Sequence, residues 1–349
     1  MDQSRREIRP RRRPAVIFVA VAGLAMALAS ACSANSPSNS AGGGTATVTV
    51  AVSSTNMNDL PVWVAQQEGY YAKAGLNVKT AVLTASTTNT ALDSGSVQFI
   101  DGNPTEFVQA LAKGTGQLAV EKETVGIPLG FVISPAFAAK HGITSKTPIQ
   151  TVAKDLIGST GGSSAAATTG EAEIFLSEFG VTSSQVKIAT LASPAADQAA
   201  LKSNEIDWFC TSEPIPYEVQ AAGNGIVVAT PENVPAWSAD QTGIGAVIVT
   251  AKSYAQANPA VVKEFVTATQ EAAKYISLNP ARALAIAASQ FPGVSQAVLK
   301  NSLAEIQWPT DGKMTDALWQ TTVGFITKQG VVPGGSTVAS TDWTNQYLS

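Results

Sequence analysis

Four stretches of this sequence gather side chains that can hold a small polar molecule without reacting with it. SSTNMN (53–58) supplies hydroxyls and amides, with Ser54, Thr55 and Asn56 at its centre, ahead of a helix starting near Asp59 whose first N–H groups are also donors. TASTT (84–88), with Ser86 and Thr87, is a second hydroxyl-rich loop. In DGNP (101–104), Gly102 allows close backbone approach, Pro104 suits the first turn of a helix, and Asn103 lies between them. GSTGGSSAAATTG (158–170) is the oddest in composition; no Lys-Ser or Lys-Thr pair follows its glycines, so it is not a phosphate-cradling P-loop. The plain alternatives are a helix cap with a solvated turn for the first loop and a surface loop for the fourth.

Covalent and metal chemistry have few candidates. Beyond Cys32 the chain keeps one histidine, His141, one arginine, Arg282, and one cysteine, Cys210. Cys210 follows Trp208-Phe209 and reads as a buried strand residue rather than a nucleophile. Ser-His-Asp chemistry would rest wholly on His141, which precedes Gly142 in a polar stretch and reads as a turn residue. There is no close Cys/His/Asp cluster of metal-ligand spacing, so no metal, no cofactor and no enzymatic activity are expected.

The elements that must position these loops alternate. Residues 47–52 read as a strand, 60–72 as a helix ending toward Gly75, 76–83 as a strand, and 88–92 as a helix. A strand at 97–100, a helix at 105–112 and a strand at 117–120 follow, and later a helix at 171–179 and a strand at 206–211. That alternation predicts an α/β fold with parallel strands, in which ligands bind beyond the carboxyl ends of the strands.

The first residues carry a different message. Six arginines crowd the first 14 residues, an uncharged apolar run at 15–28 follows, and then Ala29-Ser30-Ala31 precede Cys32, the order of a signal peptide. The apolar run falls short of the roughly 20 residues that span a bilayer as a helix. Ala29-Ser30-Ala31 fits ordinary cleavage, whereas a small residue directly before a cysteine resembles the lipobox of bacterial lipoproteins, in which Cys32 is lipidated. The Ser/Gly/Asn/Pro stretch at 33–44 suits a tether, which favours the lipoprotein. Ser4-Arg5-Arg6-Glu7-Ile8 resembles a twin-arginine signal, but the Arg/Pro stretch that follows weakens the match and favours a plain basic leader. The segment before Cys32 takes six arginines, Asp2 and Glu7 from 22 basic and 26 acidic residues, leaving 16 against 24. Nucleic acid is a poor partner for so acidic a chain.

Six segments in order resemble one family. LPVWVAQQEGYYAKAGLNV (60–78) and ALDSGSVQF (91–99) are similar to the first helix, second strand and following step of solute-binding proteins serving nitrate, sulfonate, taurine and thiamine-precursor ABC importers. AALKSNEID (199–207) with Glu213-Pro214, then NPAVVKEF (258–265) and ISLNPARA (276–283), resemble that family's second-lobe signature and closing helices. The resemblance covers nearly all of residues 47–348 and implies a two-lobed type II periplasmic-binding-protein clamp with its ligand between the lobes.

It implies crossings between lobes near 131–135 and 243–249. The expected organisation is a signal peptide at 1–31, a tether at 32–45, a discontinuous first lobe at 46–133 and 245–349, and a second lobe at 134–244. In the family a short strand and a Gly/Ser/Thr loop lead to a helix N-terminus that holds an anionic group; carried onto 158–170, this nominates Ser163, Ser164, Thr168 and Thr169. Glu213 either accepts hydrogen bonds from a ligand N–H in the cleft or braces its loop. Trp237 either stacks on a planar ligand or packs as a lid. The expected function is capture of a small anion, sulfonate, taurine or nitrate, for an ABC permease with a cytoplasmic ATPase, by a monomer on the outer membrane face. The alternatives are a heterocycle or aromatic acid in the same clamp, or a secreted sensor or enzyme, since an enzyme of thiamine-precursor synthesis shares the fold.

Overall fold

The computed structural model describes residues 45–53, 56–144 and 146–349. The signal peptide, Cys32, the tether, Ser54 and Thr55 lie outside the described residues. The chain runs β1 (Ala46–Val52), α1 (Leu60–Gln67), α2 (Tyr70–Lys73), β2 (Leu76–Val82), α3 (Ala85–Asp93), β3 (Phe99–Gly102), α4 (Pro104–Ala112) and β4 (Gln117–Val125). Next come β5 (Leu129–Ile133), α5 (Pro135–His141), α6 (Ile149–Asp155), β6 (Thr160–Ser163), α7 (Ala166–Glu178), β7 (Lys187–Thr190), α8 (Pro194–Ser203), β8 (Trp208–Ser212), α9 (Ile215–Ala221), β9 (Ile226–Ala229) and α10 (Ala239–Thr242). The last elements are β10 (Ile244–Ala251), α11 (Lys252–Ala257), α12 (Pro259–Leu278), α13 (Pro280–Gln290), α14 (Gln296–Ala304) and α15 (Asp316–Lys328).

The strands form two five-stranded sheets, ordered β2-β1-β3-β10-β4 and β7-β6-β8-β5-β9. In each sheet the three strands at one edge run parallel, and the strand next to them, β10 in one and β5 in the other, is antiparallel. The β-branched alternation of β1 explains its place. Val48, Val50 and Val52 enter the core beneath α1 and α12, while Ala51 faces the opposite core. Phe265 of α12 seals the first core by stacking on Phe99 at 3.9 Å and on Tyr71 at 5.1 Å between ring centroids. The helix expected over 60–72 is two helices, because Gly69 adopts a left-handed φ of 76° between them.

The chain passes between the sheets at residues 126–128 and at Gly243, and the two passages are joined by a hydrogen bond from Gly126 N to the Gly243 carbonyl, 2.8 Å long. The first crossing expected at 131–135 therefore falls inside β5 and the start of α5. Residues 129–133 are fully buried because they already pair with β8 and β9. The second expected range begins at the passage, and its remainder is β10. Gly243 has φ 75° and ψ −127°, a conformation essentially restricted to glycine, and a Cβ there would stand 2.3 Å from Thr322 Oγ1. Gly243→Ala is expected to cost about 1–3 kcal/mol in backbone strain alone, with steric overlap adding to it. Urea unfolding of the variant checks this, and an unchanged midpoint would contradict it.

The Ser/Gly stretch at 160–163 is a strand of the second sheet because a neighbour demands small residues. The Trp208 indole lies over Gly161, where a Cβ would meet the ring at 2.3 Å, and Trp208 Nε1 donates to Ser159 Oγ at 2.8 Å. Trp208 in turn stacks on Phe131, 4.9 Å between centroids. The indole thus fills the volume that strand side chains would otherwise occupy.

Candidate functional site

The strand β6 delivers the chain directly to the start of α7, where the hydroxyl cluster gathers. Ser163, Thr168 and Thr169 converge on one another and on the Ala165 carbonyl, with oxygen separations of 2.7–3.2 Å. Ser164 instead donates to Asp197 Oδ2 on α8. Ala165 is extended, at φ −147° and ψ 149°, and its side chain cannot cap the helix. The N–H groups of Ala166, Ala167 and Thr168 consequently donate to no acceptor among the described residues, and the first turn holds no acidic residue. Three open N–H groups on a 13-residue helix, fringed by hydroxyls, make a place for negative charge.

The structure brings together three of the four residues nominated around α7, Ser163, Thr168 and Thr169, and turns the fourth, Ser164, toward Asp197. Of the other nominated positions, Asn56, Thr87 and Asn103 have local partners. Asn56 Oδ1 accepts from Asn58 N, and Asn103 Oδ1 caps α4 by accepting from Thr105 N at 2.8 Å. Thr87 forms a capping box with Thr84 at the start of α3. Ser86 lies on α3, and its side chain is outside the description.

Two nominated residues are turned away from any open surface. Trp237 is fully buried, packs at 5.6 Å on Phe175 and donates from Nε1 to the Glu171 carbonyl, so it offers no face for stacking. Glu213 is also buried; its Oε2 accepts from Ser302 on α14 at 3.0 Å, while its Oε1 has no partner among the described residues. Burial is the main cause that raises its pKa to about 8, opposed by the Ser302 bond. Arg282 is engaged at the surface with Glu68, 2.8 Å away. His141 stacks on Phe137, and Cys210 is buried within β8.

Sequence reading missed a second polar feature. Asp59, in the turn before α1, Asp101, on β3, and Glu121 and Glu123, on β4, are all buried. Asp59 accepts from Ser53 N at 2.6 Å and Glu121 from Thr269, whereas the carboxyls of Asp101 and Glu123 are buried against each other. Desolvation raises all four carboxyls well above their ordinary range, and Glu123 and Asp101 face each other closely enough that each alters the other's proton affinity. Protons therefore stabilise the fold here. The folded pKa values exceed the unfolded ones near 4, so the contribution of these groups to stability is fully present below that value and declines as pH rises above it. Glu123→Gln is expected to flatten this decline by up to about 1.4 kcal/mol per pH unit. Unfolding curves at pH 4–8 measure it, and equal slopes would contradict the assignment. No group of His, Cys, Asp or Glu able to hold a metal occurs among the described residues.

A family model described as NMT1/THI5 like matches residues 56–283, and the chain belongs to that family. Among solved structures, the chain is similar to the alkanesulfonate-binding protein SsuA from Xanthomonas axonopodis bound to MOPS, with a TM-score of 0.65, 17% identity, and 85% of this chain and 98% of that chain covered. The nitrate-binding protein NrtA from Synechocystis matches with a TM-score of 0.61, 16% identity and coverages of 84% and 83%. The desulfurization enzyme DSZB matches with a TM-score of 0.62, 15% identity and coverages of 86% and 97%. No curated protein matches in sequence. The two sheets thus constitute a type II periplasmic-binding-protein fold, the class the sequence implied.

Proposed function

We propose that this chain is the extracytoplasmic binding component of an ABC importer and that it captures a small organic or inorganic anion, of the sulfonate, taurine or nitrate type, without transforming it. The observation that carries this reading is the open N-terminus of α7. Its three unpaired N–H groups and hydroxyl fringe accommodate a tetrahedral or planar oxyanion without an arginine. Two of the similar structures bear sulfonate- and nitrate-binding names, which agrees with it. The enclosed position of Trp237 removes the main support for a stacked heterocycle.

Ethanesulfonate, taurine, nitrate and a pyrimidine, each titrated calorimetrically into the purified protein, test the reading; single-site binding of one of the anions is expected, with no turnover. Ala166→Pro sharpens the test. Proline is well tolerated at the first helical position, Ala165 already has the extended backbone that precedes proline, and one N–H is removed. The variant is expected to melt like the wild type and to bind the anion about tenfold more weakly, as losing one charge-assisted hydrogen bond of about 1.5 kcal/mol requires. Unchanged affinity would move the anion elsewhere.

Delivery to a permease fits a lipid at Cys32, because a short tether raises the local concentration of the clamp at the membrane. No helix among the described residues is long and apolar enough to cross a membrane. Mass spectrometry of the mature N-terminus decides the anchor: acylated Cys32 is expected, and an unmodified cysteine would leave an unanchored binder.

A further inference from the structure

Glu171 is the sixth residue of α7 and is buried, and Gln329, the residue that follows α15, is buried against it. Gln329 Nε2 donates to Glu171 Oε1 at 2.9 Å. The remaining atom of each group, Glu171 Oε2 and Gln329 Oε1, is buried and has no partner among the described residues. A planar acid and a planar amide joined through one atom of each can bring their two remaining atoms together by rotation of the planes. Both are acceptors while Glu171 is ionised, and two buried acceptors without a proton between them are unfavourable. A single proton on Oε2 satisfies both, turning one hydrogen bond into a closed pair.

We propose that Glu171 is a neutral acid that forms a two-bond acid–amide pair with Gln329, and that this pair positions the anion-binding start of α7 against the C-terminal helix. The surroundings fit. The titratable side chain from β8 that faces Glu171 is the Cys210 thiol, itself held neutral by burial. From residues 235–237, Trp237 contributes an indole N–H to the Glu171 carbonyl, and Glu173 on α7 and Lys328 on α15 are the nearest charged residues in sequence. Burial raises the Glu171 pKa to about 8, opposed by the Gln329 bond. Gly170 is pressed onto the Gln329 backbone, where a Cβ would stand 2.3 Å from its carbonyl oxygen, so the two segments meet without slack. Beyond Gln329, α15 is fastened to the first sheet by Thr322 Oγ1, which accepts from Ile244 N, and by Trp319 packed on Phe107. The pair therefore ties a helix of the second sheet to a helix anchored on the first. Its role in binding rests on the reading of α7 as the anion site; its protonation does not.

Glu171→Gln replaces the acid by an amide that keeps both hydrogen bonds and cannot ionise, and Gln329→Met removes the amide while keeping its bulk. Urea unfolding of wild type and E171Q at pH 4–9 reads the proton. A carboxyl of folded pKa about 8 and unfolded pKa near 4.5 binds its proton more tightly when folded. The wild-type folding constant is thus expected to fall relative to E171Q by up to about tenfold per pH unit between those values and to level off above. Hydrogen exchange at residues 169–172, whose amides are bonded within α7, reads the positioning: protection in wild type relative to E171Q at equal pH is expected to drop above pH 8, and Q329M is expected to lose it at every pH. Parallel unfolding curves for wild type and E171Q would overturn the neutral acid. Protection of α7 that ignores both pH and Q329M would overturn the positioning. Failure of every anion to bind would overturn the function proposed above while leaving both of these readouts decisive.

Discussion

Ala167→Asp is expected to weaken anion binding by roughly a hundredfold or more while leaving the protein as stable as before or slightly more so. Ala167 is the second residue of α7, half-buried, and its N–H is one of the three open donors. A carboxylate placed there occupies the first turn, where negative charge is favoured by about 0.3–1 kcal/mol. The same carboxylate would face the bound anion; two like charges about 4 Å apart at an effective dielectric near 20 repel by about 4 kcal/mol. Stability and affinity therefore move in opposite directions. A variant that merely damages the fold would lower both, so calorimetry and thermal melting on one preparation separate the two cases. Retained affinity would show that the anion does not sit at this helix.

Gly161→Val carries the largest expected loss of stability. Its side chain would enter the space filled by the Trp208 indole, whose ring atoms lie 2.3–2.5 Å from the position of a Cβ. Trp208 cannot retreat, since it is fully buried, stacks on Phe131 and is tethered to Ser159. A cost of about 3 kcal/mol or more, at the upper end of overpacking, is expected. Trp208→Ala alone should cost about 3–5 kcal/mol by leaving a cavity. Combined, the two are expected to cost clearly less than their sum, because valine occupies part of the volume that the indole vacates. Strict additivity in urea unfolding would contradict the contact.

Much of this was legible in the chain. Alternating strand and helix periods gave the α/β class, and the ordered segments from 60 to 283 gave the clamp, because local patterning and short connections dominate there. Residues 158–170 resisted reading for a physical reason: β6 has no strand former besides Thr160. What makes it a strand is an indole nearly fifty residues further on. The start of α7 was likewise read at Glu171 rather than Ala166, since Ala-Ala-Thr-Thr lacks a capping signature. That missing cap is what leaves the N–H groups open. For Trp237 and Glu213 the sequence leaves ligand contact and structural support both open, because residue type alone does not show burial. The acidic cluster and the Glu171–Gln329 pair have no sequence signature, because their members come from separate elements and meet only once the fold is complete.

The most direct measurement is a backbone amide titration of the nitrogen-15 labelled protein with ethanesulfonate, taurine and nitrate in turn. The account predicts that one of these anions produces saturable shifts with single-site behaviour, largest at the amides of Ala166, Ala167 and Thr168. Saturable shifts centred elsewhere, or no saturable shift with any of the three, would contradict it.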